Sequence, residues 1–138
     1  MAKKEDIRVT KTKRDLRKAL TELMERKEFD KITVCDICEE AMINRMTFYK
    51  HYMDKYDLLA DVLDFMSQQL KAEFADGKAK KLFDEDPSAF FSFAIEKIVD
   101  LCAEKEAFFR VVVKSENSVI RQMIYDAMRK ALDRKSVV

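Results

Sequence analysis

A chain of 138 residues with one glycine, Gly77, and one proline, Pro87, lacks the residues that tight β-turns require. A many-stranded sheet needs such turns at short intervals, so the scarcity excludes most sheet-based architectures. Ala, Leu, Lys, Glu, Met and Arg abound instead, and these lose least on entering a helix. Apolar residues make up 48% of the chain, enough to bury a core. The sequence therefore predicts an all-α protein.

Periodicity places the helices. From Thr10 to about Arg26, Leu16, Ala19, Leu20, Leu23 and Met24 recur at helical spacing and define one apolar face. Phe29 and Ile32 are expected to plug the core across a short connection. Thr33 then stands as N-cap of a short helix holding Val34, Ile37, Cys38 and Ala41. After "MIN", Asn44 caps a third helix in which Phe48 and Tyr52 share a face. Asp54 caps a fourth and longest helix, Lys55 to about Ala75, with Tyr56, Leu59, Ala60, Leu63, Met66 and Leu70 on its apolar side. The segment "ADGKAKKLFDEDP" reads as a linker, and Asp86-Pro87 as the N-cap and first residue of a helix reaching about Ala103. A brief helix near Glu106 to Lys114 and a last one from about Ser118 to Leu132 complete the chain. There is no internal repeat or low-complexity tract.

Charge is unevenly distributed although the net value is only +1. Residues 1–18 hold eight cations against three acids, whereas residues 61–138 hold thirteen against fourteen. The basic start suits a nucleic-acid arm and equally a solvated tail. With no apolar run long enough to cross a bilayer and no secretion signal, a cytoplasmic protein with no membrane association is expected. Its three cysteines should be reduced thiols. Cys35 and Cys38 form a CxxC, but there is no second one, Cys38 falls on an apolar face, and the single histidine, His51, has a better assignment. Neither a metal site nor a cofactor is expected. Without a glycine-rich phosphate loop, and with one histidine for any base role, enzyme activity is not expected either.

Two short helices joined by "AMIN" and packed on a longer first helix make a helix-turn-helix, whose second member enters the DNA major groove. With Phe48 and Tyr52 inward, Met46, Thr47, Tyr49 and Lys50 turn outward and Asn44 and Arg45 lead. Arg45 and Asn44 suit guanine and adenine edges, and Met46 or the Thr47 methyl suits a thymine methyl. Thr33, Tyr49, His51 and Lys55 offer donors to phosphate near helix ends.

Residues 10–60, centred on "ITVCDICEEAMINRMTFYKHYMDKYDLL", resemble the DNA-binding domain of the tetracycline-repressor (TetR) family of bacterial transcription regulators. The run Thr47-Phe48-Tyr49-Lys50-His51-Tyr52, followed by Lys55, carries the resemblance. It implies phosphate contact for Thr33, Tyr49, His51 and Lys55, and base or groove contact for Asn44, Arg45, Met46, Thr47 and Lys50. The family usually has glycine in the turn where this chain has Met42, which predicts about 1 kcal/mol of local strain or an altered turn.

The expected organisation is a three-helix DNA-binding domain, residues 1–55, joined by a long fourth helix to a small C-terminal bundle, residues 56–138. The resemblance further implies a repressor that binds a palindromic operator as a homodimer and answers to a small molecule. The C-terminal part is shorter than the family's usual regulatory domain, so the dimerising helix pair is expected to be missing or replaced by pairing of the two later helices. Most of its aromatics read as core. Phe65, Met66, Phe93 and Phe109 are the candidate lining of an effector pocket. The rival reading is a helical adaptor that binds protein through its aromatic surface without specific DNA binding.

Overall fold

Leu16, Leu20, Leu23 and Met24 are all buried, as their helical spacing requires, and they seat α1 (Ala2–Arg26) against the rest of the N-terminal region. In the computed structural model, which describes residues 2–75 and 77–132, eight α-helices and no strand occur among the described residues. After α1 come α2 (Val34–Ala41), α3 (Arg45–His51), α4 (Lys55–Ala72), α5 (Lys78–Glu85), α6 (Pro87–Glu104), α7 (Glu106–Lys114) and α8 (Ser118–Leu132). The chain divides into two compact units between Val62 and Leu63, so the boundary falls within α4.

The first unit is built on α1. A single 3₁₀ turn, Phe29–Lys31, leads out of it and buries Phe29, while Ile32 follows into the same core. Ile37 and Cys38 from α2, Phe48 and Tyr52 from α3 and its end, and Leu58, Leu59 and Val62 from α4 are buried too. Each large apolar side chain so enclosed contributes about 1.5–3 kcal/mol relative to exposure. Ion pairs fasten the end of α1 and the residue after it to α2 at the rim: Arg26 to Glu40 at 3.0 Å and Lys27 to Asp36 at 2.9 Å.

The second unit is more thinly packed. Ala79, Phe108, Val112 and Ile120 are buried, and a chain of aromatic contacts, two edge-to-face and the Phe74–Phe90 one tilted, links Phe83, Phe90, Phe74 and Phe93. Asp86 caps α6 by accepting from the Ala89 N–H, with Pro87 at its first position, as the sequence predicts. No residue of α6 is fully buried.

Three boundaries differ from the expectation. The first helix starts at Ala2 and not near Thr10, because residues 2–9 have good helix formers but no apolar face to betray them. The segment taken as a linker contains α5, whose Ala79, Leu82 and Phe83 repeat at helical spacing over too short a run to stand out. Gly77, with φ of 79°, is its left-handed N-cap. The fourth helix ends at Ala72 and not near Ala75. Asp76 of that supposed linker and the terminal "RKSVV" lie outside the described residues.

Candidate nucleic-acid interface

Thr33 begins the site. Its Oγ1 accepts the Asp36 N–H at 3.0 Å and its own N–H donates to Asp36 Oδ2 at 3.0 Å, a reciprocal capping box. Lys27 Nζ reaches the same Oδ2 at 2.9 Å. The Lys27 hydrogen bond first, then the Thr33 N–H, hold the Asp36 carboxyl at a pKa of about 2. The cap uses Thr33 Oγ1 as an acceptor, so the hydroxyl hydrogen is still available to a phosphate oxygen.

The turn between α2 and α3 is tight and left-handed. Met42 takes φ 58° and ψ 44°, while its N–H donates to the Glu39 carbonyl at 3.2 Å and the Ile43 N–H donates to the Cys38 carbonyl at 2.9 Å. These two bonds are a Schellman close, which satisfies carbonyls that α2 would otherwise leave bare. Glycine is the residue such a position favours, so the expected strain at Met42 is present in the backbone. Its side chain is 91% exposed.

Asn44 caps α3 by accepting the Met46 N–H at 2.8 Å on Oδ1. One lone pair of the oxygen that a bidentate adenine contact would use is therefore committed, while the residue itself is exposed. Phe48 and Tyr52 are sunk in the core with ring centroids 5.7 Å apart. On the opposite side Arg45, Met46, Tyr49 and Lys50 are exposed, and Thr47 and His51 are half-buried. Tyr49 leans its ring on Phe48 at 5.2 Å. The Tyr49 hydroxyl, one turn on, is the main influence that raises the Arg45 guanidinium pKa above its ordinary value.

Lys55 is placed differently from the others. Its ammonium donates to the carbonyls of Phe29 at 2.8 Å and Ile32 at 2.9 Å, with a longer bond to Asp30 at 3.3 Å. It also lies 4.6 Å from the Phe29 ring centroid and 5.8 Å from that of Tyr56. Its three N–H donors are thus spent on the 3₁₀ turn before α2, and burial lowers its pKa from the usual lysine value. In this arrangement Lys55 staples the loop that presents Thr33.

The four proposed pocket residues differ in their surroundings. Met66 is buried on α4, Phe65 is 41% exposed, and Phe93 packs edge-on to Phe74. Phe109 borders an open depression of about 310 Å³, shared with Cys102, Glu106, Arg110, Val113 and Lys114. Cys38 is buried and burial raises its thiol pKa, while Cys35 is exposed.

Two contributions were missed in the sequence. The Thr33–Asp36 box has a signature, Thr followed three residues later by an acid, that marks the start of α2. Asp61, which pairs with Arg17 at 3.1 Å, has no local signature because its partner is 44 residues away.

Residues 16–62 match the family model described as bacterial regulatory proteins, tetR family. Residues 16–62 are thus similar to the tetR DNA-binding region. The matched stretch takes in the C-terminal part of α1, the capping box, the turn and all of α3. An HTH-type transcriptional regulator of Bacillus subtilis (strain 168), YxbF, itself uncharacterized, is 37% identical over 59 residues. That similarity covers 42% of this chain and 16% of the relative. The tetR-like helix-turn-helix here thus has a non-glycine turn residue and a lysine staple. No helix among the described residues is long and apolar enough to cross a membrane.

Proposed function

We propose that the protein is a sequence-specific DNA-binding transcription regulator whose α3 enters the major groove. The supporting observation is the two-sidedness of that helix: Phe48 and Tyr52 are buried while Arg45, Met46, Tyr49 and Lys50 stand exposed on the other side. In this reading Arg45 addresses a guanine edge, the Asn44 amide an adenine or phosphate, Met46 and the Thr47 methyl a thymine methyl, and Lys50 the groove wall. Thr33, Tyr49 and His51 position the head on phosphates. Lys55 serves indirectly, by holding the loop before Thr33.

The match of residues 16–62 to the tetR family model supports a repressor acting in the cytoplasm. It would bind a palindromic operator as a homodimer with heads about 34 Å apart or a multiple of that. A small molecule that prefers one spacing of the heads would then change operator affinity. The exposed Phe91, Ile95, Ile98 and Val99 on α6 offer an apolar surface for association of two copies. The depression beside Phe109 is the proposed place for an effector, and Phe65, Met66 and Phe93 remain candidates for lining it in another arrangement of the helices.

Selection of genomic DNA fragments by the purified full chain tests the reading. It predicts one enriched palindromic motif, bound more weakly as salt rises because phosphate neutralisation releases counterions. Recovery of no motif by the folded protein would overturn it in favour of a helical adaptor.

A further inference from the structure

Tyr52 closes α3 with an extended backbone, φ −136° and ψ 142°, and its ring is 5% exposed against Phe48. Its hydroxyl donates to Asp61 Oδ2 in the second turn of α4. The same oxygen accepts Arg17 Nη1 from the middle of α1 at 3.1 Å. One carboxylate oxygen therefore joins α1, the end of α3 and α4. Burial first, and Asp61 second, push the Tyr52 hydroxyl pKa well above the ordinary tyrosine value, so it stays a proton donor at physiological pH.

Apolar burial fixes how deeply α3 sits but is non-directional, whereas a hydrogen bond fixes direction. Rotating a helix by about 20° moves atoms at its side-chain radius by about 2 Å, more than a base-edge hydrogen bond tolerates. Contacts to phosphate by flexible side chains tolerate such a change far better.

We propose that Asp61 is a positioning residue for base reading: through the Tyr52 hydroxyl it sets the rotation of α3 about its own axis, and Arg17 holds the carboxylate in place. The inference rests on the DNA-reading proposal above. The loss of this link should therefore fall on discrimination between sequences and leave general duplex affinity in place.

The test compares the full chain with Tyr52→Phe, Asp61→Ala and Asp61→Asn, each checked for helix content. Binding is measured to the duplex that the wild-type chain selects and to a random-sequence duplex, across a salt series. Tyr52→Phe keeps the buried ring and removes only the hydroxyl. It should lower the ratio of selected to random binding about tenfold, with the salt slope unchanged. Asp61→Ala should do the same, and Asp61→Asn, which still accepts from Tyr52, should recover most of the ratio. Should Asp61→Ala not fold, Tyr52→Phe carries the test alone. A wild-type ratio in Tyr52→Phe, or equal loss on both duplexes, overturns the inference. A wild-type chain that itself shows no preference overturns the DNA-reading proposal, and this inference with it.

Discussion

Replacing Met42 by glycine should stabilise the protein. A side chain at φ 58° and ψ 44° occupies the left-handed region, where a residue with a Cβ is less stable by about 1–2 kcal/mol. Glycine removes that strain but gives the unfolded chain more freedom, which returns about 0.5–1 kcal/mol. Met42 is 91% exposed, so no burial is lost with its side chain. Both bonds of the Schellman close are main-chain bonds and survive the exchange. The net gain is about 0.5–1 kcal/mol. For a cooperative unit of this size that raises Tm by roughly 2–8 °C. Urea unfolding followed by circular dichroism should show a higher midpoint with an unchanged slope for Met42→Gly. Met42→Ala, which retains the Cβ, should stay within about 0.5 kcal/mol of wild type. Equal stabilisation by alanine and glycine, or none by glycine, would refute the strain argument.

Other substitutions separate reading from support. Arg45→Ala should relax preference at one or two base pairs at a cost of about 1–3 kcal/mol, seen as a broadened motif in repeat selection. Lys55→Met should lower Tm and weaken binding together while leaving the salt slope unchanged. A direct phosphate contact would instead reduce that slope by about one. Because Asp36 has a folded pKa of about 2 against an ordinary carboxyl value of 3.8, its contribution to stability is present above 3.8 and is lost as pH falls through about 2. Its carboxyl carbon should titrate near 2 by NMR in the wild type and return toward 3.8 in Lys27→Ala. The stability gap between those two proteins should close over the same pH window.

The parts of the fold that were legible in the sequence are those with a strong local pattern. The apolar spacing of α1 and α3, the caps at Thr33, Asn44 and Asp86, and the bounds of α7 and α8 all follow from neighbouring residues. The start of α1 was hidden because a solvated helix leaves no apolar stripe. The α5 helix was hidden because its eight residues contain Lys and Asp at most solvent positions and follow the only glycine. At the site, the outward set on α3 follows from fixing Phe48 and Tyr52 inward. What sequence spacing cannot show is where a long side chain spends its donors. Lys55 turns back to three carbonyls, and the Asp61 carboxylate meets Tyr52 and Arg17, through contacts made only after the chain has closed on itself.

In the proposed complex the outward face of α3 meets duplex DNA. Amide NMR of the full chain during titration with its selected duplex tests this most directly. The largest shifts are predicted at Arg45, Met46, Thr47, Tyr49 and Lys50, with a second group at Thr33 and smaller changes at the buried Phe48. Shifts centred instead on Phe91, Ile95 and Val99 of α6, with α3 undisturbed, would contradict the account.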